Sequence, residues 1–128
     1  MIEKNKWLLY SNIIINYFDK IPSAVRIFSE IKDDVLYFSV ITRIELLSYS
    51  KNTERSEQII RDFLSLLTPV MLDADVETAA IRLRQTNRLK LPDAVIAASA
   101  IVVNAVLITG DEQLASADFA GFRAVVPK

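Results

Sequence analysis

The chain contains no cysteine and no histidine, and only two glycines, Gly110 and Gly121. The missing cysteines exclude a disulfide framework. Without histidine or cysteine, Ser-His-Asp and Cys-His nucleophiles, histidine acid-base pairs and Cys/His zinc sites are all unavailable. Two glycines are too few for the dinucleotide fingerprint or the phosphate-binding P-loop. Long apolar runs are also missing. The most membrane-like stretch, Ala94 to Thr109, is interrupted by Ser99 and Asn104 and falls short of the roughly 20 apolar residues of a spanning helix. The first residues, Met1 to Trp7, are polar and mixed in charge, without the pattern of a secretory signal. The expectation is a cytoplasmic protein with no membrane segment, left with carboxylates for its chemistry.

What is present suits one domain spanning residues 1–128. The chain is 52% hydrophobic over its 128 residues, enough to bury a continuous core without metal or disulfide staples. Fifteen Lys and Arg stand against sixteen Asp and Glu, for a net charge of -1. Nucleic-acid binders are commonly far more basic, so any contact with RNA must be local.

Strand and helix patterns alternate along the chain. Trp7 to Tyr10 reads as a strand, Ser11 and Asn12 as helix N-caps, and Ile13 to Phe18 as the helix that follows. A helix over Ser23 to Ile31 precedes a strand from Val35 to Val40, and the next helix starts near Thr42. Ile59, Ile60, Phe63, Leu64 and Leu67 mark one helix face, and Val76, Ala79, Ala80 and Leu83 mark another. Between them, Pro69 to Leu72 reads as a short strand. Pro92 opens a long apolar helix, Ala105 to Thr109 forms a strand, Gly110-Asp111 begins another helical turn, and Phe122 to Val126 supplies an edge strand. Such alternation predicts an α/β fold of three α/β/α layers around a central parallel sheet. Ligands of open parallel sheets collect beyond the carboxyl ends of the strands.

Three acids fall at that edge: Glu45 one turn into a helix, Asp93 at a helix start, and Asp111 after a strand. Each has a structural explanation. Thr42-x-x-Glu45 fits a capping box, Asp93 suits a first helical turn after Pro92, and Asp111 suits an N-cap. Their convergence argues for more. Two carboxylates about 5 Å apart at an effective dielectric near 20 repel by roughly 3 kcal/mol, so a cluster of three calls for a cation. Carboxylate oxygens without nitrogen or sulfur ligands suit Mg²⁺ or Mn²⁺, which activate water and stabilise phosphoryl charge.

Four ordered blocks carry a family resemblance: Leu8-Leu9-x-Ser11-Asn12-Ile13-Ile14-Ile15, Ser39-x-x-Thr42-x-x-Glu45-Leu46, Leu91-x-Asp93-Ala94-x-x-Ala97-Ala98 and Ile108-Thr109-x-Asp111. Together they resemble the PIN-domain family, particularly the VapC toxins of toxin-antitoxin pairs. The resemblance implies a Mg²⁺-dependent endoribonuclease, dimeric, restrained by a cognate antitoxin that covers the acidic pocket. It implies Glu45, Asp93 and Asp111 as the catalytic and metal-site acids, supported by Ser11, Asn12 and Thr109, with Glu112 a lesser neighbour. Tyr10 departs from the pattern, since the family places an Asp there. A phenol is neutral at physiological pH and is a poor Mg²⁺ ligand. The expectation is weakened or lost cleavage, with a non-catalytic module that binds antitoxin or RNA as the alternative. A phospho-acceptor signalling domain also gathers acids and Mg²⁺ at strand ends, but the late-strand Lys and the early acid of that class are missing.

Arg82, Arg84, Arg88 and Lys90 form the densest basic stretch, and Arg43 lies near Glu45. They are candidates for RNA contact by phosphate steering, against the alternative of an ordinary solvated helix end. Tyr17, Phe18, Ile27 and Phe28 serve either core packing or a groove for a partner helix.

Overall fold

The computed structural model describes residues 5–128, so the polar start from Met1 to Lys4 lies outside the described residues. β1 (Lys6–Leu9) leads into α1 (Ser11–Phe18) and α2 (Pro22–Ile31), and β2 (Val35–Ser39) into α3 (Val40–Leu47) and α4 (Glu54–Leu64). β3 (Thr68–Val70) precedes the helical pair α5 (Ala74–Asn87) and α6 (Leu91–Val103), and the chain ends through β4 (Val106–Ile108), α7 (Glu112–Ala115) and β5 (Ala124–Val125). All five strands pair in parallel, in the order β3-β2-β1-β4-β5.

Strand periodicity divides the core between the two faces of this sheet. Leu8 and Leu107 pack toward α5 and α6 with Val76, Leu83 and Ile96, whereas Leu9, Phe38 and Ile108 pack toward the other face with Ile14, Leu46, Ile60 and Leu64. The result is the expected three-layer α/β/α arrangement. Seven successive residues of α6, Ala94 to Ala100, are buried. Alanine at 94, 97, 98 and 100 lets this helix lie close to both the sheet and α5. Arg88 ends α5 in the left-handed conformation, with φ of 53°, and the short turn that follows sets the start of α6 beside the end of α5. Among the described residues no helix is long and apolar enough to cross a membrane.

Several boundaries differ from the sequence expectation. Ser11 and Asn12 are not N-caps; Tyr10 takes the N-cap position of α1 without a capping side-chain bond. The third helix starts at Val40, earlier than expected, because the Ser39 hydroxyl accepts the Ile41 N–H. Thr42 therefore lies inside the helix and caps nothing. β3 covers Thr68–Val70, and Met71 and Leu72, expected in the strand, are instead about half exposed. Phe18, Ile27 and Phe28 pack against the core while partly exposed, and Tyr17 and Phe18 also line surface grooves. Tyr17, Phe18 and Phe28 gather around Phe63 with ring centroids 5.2 to 5.8 Å from it, and Ile27 packs against the same core.

Leu107 is fully buried at the middle of β4. Leu107→Ala should destabilise the protein by about 2–5 kcal/mol, read from denaturant unfolding, because a cavity between sheet and α6 cannot close fully. A loss below about 1 kcal/mol would mean that the core repacks freely.

Candidate functional site

The strand order reverses direction between β1 and β4, so a crevice opens beyond their carboxyl ends. The Tyr10 N–H donates to the Ile108 carbonyl at 3.0 Å and ties the two strand ends together there. Tyr10, Ser11 and Asn12 follow β1 directly, and each reaches a different wall of the crevice.

Tyr10 lies two residues beyond Leu8, so strand alternation turns its ring to the same side, toward α6. Its hydroxyl donates to Asp93 Oδ1 at 2.5 Å. Asp93 sits in the first turn of α6, where the positive end of the helix dipole favours a carboxylate. Ser11 turns the other way. Its Oγ lies 2.7 Å from Glu45 Oε1 and 3.0 Å from Thr42 Oγ1. A serine has one proton, so the consistent assignment has Ser11 donating to the Glu45 carboxylate and accepting from Thr42. Thr42 is fully buried and stands one helical turn before Glu45 on α3.

Asn12 grips the turn after β4. Its Oδ1 accepts the Gly110 N–H at 3.0 Å, and its Nδ2 donates to Thr109 Oγ1 at 3.3 Å. Thr109 Oγ1 also accepts the Asp111 N–H at 3.1 Å. Asp111 Oδ1 in turn accepts the Gln113 and Leu114 N–H groups and caps α7, as its sequence position suggested. Every buried polar side-chain atom among the described residues has a partner.

The electrostatics follow from these contacts. Burial is the largest cause raising the Tyr10 phenol well above its ordinary pKa; the Asp93 hydrogen bond and the charges of Asp93, Glu45 and Asp111 act in the same direction. The phenol stays neutral and keeps its proton, with which it hydrogen-bonds Asp93.

Asp93 and Asp111 line a cleft of about 470 Å³ together with Arg88 and Lys90. Glu45 borders a separate groove of about 730 Å³, walled by Ile15, Phe18, Tyr49 and Ile59. Of the other basic residues, Arg84 donates from Nε to the Leu89 carbonyl and braces the turn before α6. Arg82 is exposed on α5 outside the cleft. Arg43 lies over the Phe38 ring, 5.2 Å from its centroid. Glu112 is exposed and lines neither space. Thr42 is the site residue that sequence reading missed; its signal was the three-residue spacing that sets it on the same helix face as Glu45.

A family model described as the PIN domain matches residues 8–120. The chain belongs to the PIN domain family. A chain of a toxin-antitoxin complex from Klebsiella pneumoniae is 29% identical and superposes with a TM-score of 0.77, covering 90% of this chain and 93% of that one. A chain of VapBC2 from Rickettsia felis, in a structure bound to a DNA fragment from the promoter, is 23% identical with a TM-score of 0.81 over 96% and 99% of the two chains. For VapBC-1 from nontypeable Haemophilus influenzae the values are 24%, 0.78, 94% and 97%. The last two likenesses establish a shared fold. No curated protein matches the sequence.

The donor set of this PIN domain can be tested against a divalent cation. Asp93 already accepts a hydrogen bond from Tyr10, Glu45 one from Ser11, and Asp111 two from backbone N–H groups. Among the described residues no three acids are grouped to hold one ion. Mg²⁺ demands near-octahedral oxygens at about 2.1 Å, and a neutral, buried phenol in the crevice does not meet that demand. With Tyr10 in place the residues do not fit the metal.

A raised phenol pKa has a direct spectroscopic consequence. Tyr10→Phe should leave the tyrosinate absorbance of the folded protein unchanged as pH passes about 10, the ordinary tyrosine value. Loss of one tyrosine's worth of signal there would show that Tyr10 ionises normally.

Proposed function

We propose that this chain acts as a single-domain toxin of a toxin-antitoxin pair, on the scaffold of a Mg²⁺-dependent endoribonuclease, with RNA cleavage weakened or lost at Tyr10. The observation that carries the reading is the Tyr10 hydroxyl on Asp93, with the charges of Asp93, Glu45 and Asp111 all acting on the phenol. On a scaffold whose acids fit it, a divalent ion, Mg²⁺ or Mn²⁺, would supply an activated water and a counter-charge for the phosphoryl group. Arg88 and Lys90 border the Asp93 cleft and are positioned to steer a phosphate backbone. Arg82 and Arg43 stand outside it, and Arg84 serves the turn. The cytoplasm is the compartment in which such a chain meets RNA.

The antitoxin's place is the groove bordered by Glu45. Ile15, Tyr49 and Ile59 are 46%, 58% and 47% exposed, which suits the apolar face of a partner helix. Asp19 and Glu45 on its walls favour basic residues on that partner. A second copy of the chain has a different apolar surface available, where Ile44, Met71 and Leu72 are each more than half exposed. A homodimer is the proposed assembly.

The alternative is a non-catalytic PIN module that binds antitoxin or RNA. The same Tyr10 to Asp93 bond favours it, since binding survives where metal chemistry does not.

Cleavage separates the two. Tyr10→Asp should raise Mg²⁺-dependent RNA cutting at least tenfold over the parent chain, and Asp93→Asn added to it should abolish the gain. Equal cutting by the parent would remove Tyr10 from the account; no cutting by either, with both folded by circular dichroism, would favour the binding module. Groove occupancy is tested separately. Tyr49→Asp should weaken binding of an antitoxin encoded beside this chain at least tenfold by calorimetry, because a buried, unpaired carboxylate carries a desolvation cost. Unchanged affinity would move the partner to another face.

A further inference from the structure

Clusters of carboxylates that lack a metal are ordinarily a burden on the fold, because each charge meets its like in a partly dry crevice. Here Glu45, Asp93 and Asp111 are each engaged by a hydrogen-bond donor of the chain itself. Two of those arrangements, Ser11 with Glu45 and the backbone cap on Asp111, leave the crevice centre to one residue. That residue is Tyr10, only 9% exposed.

We infer that the Tyr10 hydroxyl is an internal plug that takes the place of a cation beside Asp93, satisfying the carboxylate by a hydrogen bond and adding no charge of its own, so that the fold is stable without divalent metal and indifferent to it. The inference rests on reading this crevice as the acidic site of a PIN nuclease scaffold. Three observations carry it. The hydroxyl is directed at Asp93, strand parity gives the ring no other side to occupy, and no three acids among the described residues remain grouped for an ion. The ring also packs with Leu8, Ala94 and Ala97 in the core beneath the crevice. It therefore fills space as well as supplying a proton. An aspartate at position 10 would do neither: it would add a negative charge and leave the volume of the ring empty.

The test compares thermal unfolding of the parent, Tyr10→Phe and Tyr10→Asp, each in chelator and in millimolar Mg²⁺, with Mn²⁺ binding followed by electron paramagnetic resonance. The parent should melt at the same temperature in both buffers and bind no Mn²⁺ in the millimolar range. Tyr10→Phe keeps the ring and loses the proton, so it should melt roughly 3–6 °C lower in chelator. Tyr10→Asp should melt lower still in chelator, recover several degrees in Mg²⁺, and bind Mn²⁺ at least tenfold more tightly than the parent. A parent that gains as much from Mg²⁺ as Tyr10→Asp overturns the inference. So does a Tyr10→Phe protein that melts with the parent. If Tyr10→Asp does not fold in either buffer, those two parent and Tyr10→Phe comparisons decide the matter. RNA cleavage by the same samples keeps the two readings apart. Mg²⁺-dependent stability in Tyr10→Asp without cleavage would remove the nuclease reading and leave the plug. Cleavage by Tyr10→Asp beside a Mg²⁺-responsive parent would do the reverse.

Discussion

Three consecutive residues at the end of β1 organise the whole crevice, and they do so because a strand turns into a helix between them. Tyr10 still obeys strand alternation and faces α6, where it meets Asp93. Ser11 is the first residue of α1 and faces α3, where it meets Glu45. Asn12, one helical step further, faces the turn after β4 and fixes the backbone that carries Asp111. A rotation of about 100° per residue in the helix distributes neighbouring side chains to different walls. The acids come from three distant stretches of chain, yet their orientation depends on one tripeptide.

That tripeptide works only because the sheet holds its base still. Leu8 and Leu9 are buried on opposite faces, Leu8 under α6 and Leu9 under α1 and the helices beside it. The Tyr10 N–H bond to Ile108 then fixes the end of β1 against β4. Packing energy is concentrated below the crevice, and the polar groups above it are held by hydrogen bonds in sequence: Thr42 to Ser11 to Glu45 on one side, Asn12 to Thr109 and Asp111 on the other. Buried networks of this kind are stable only when complete, and this one is complete among the described residues.

The fold was largely legible in the sequence because its signals are periodic. Alternating apolar strands, the helix face at Val76 to Leu83 and a helix start beside Pro92 survive in the structure, whereas the face read over Ile59 to Leu67 holds only in part, since α4 ends at Leu64, Leu67 lies beyond it and Ile59 is about half exposed. Local rules failed where side-chain chemistry was shared between segments. Ser11 and Thr42 both carry good capping side chains, and propensity alone assigns them to helix ends. Tertiary structure instead links Thr42 to Ser11 and Ser11 to Glu45, and the capping at α3 falls to Ser39. Asp111 shows that the two uses need not conflict, because it caps α7 and lines the Asp93 cleft at once. Of the basic residues before Asp93, sequence spacing could not tell Arg88, which borders the cleft, from Arg84, whose Nε is engaged by a backbone carbonyl.

Tyr10 is the case in which sequence and structure inform each other most. Read in the chain, it is an aromatic at the end of a strand, which β-propensity explains without any function. Read in the fold, it is a neutral donor among three carboxylates, and the burial that raises its pKa also keeps its proton available to Asp93. A residue at position 10 without a donor would leave Asp93 without this partner in a partly buried crevice, and unpaired buried acids are costly. A phenol at this place adds no charge and hydrogen-bonds the carboxylate beside it. The position therefore combines a neutral side chain with a donor for Asp93, which is why the surrounding polar network stays fully paired around it.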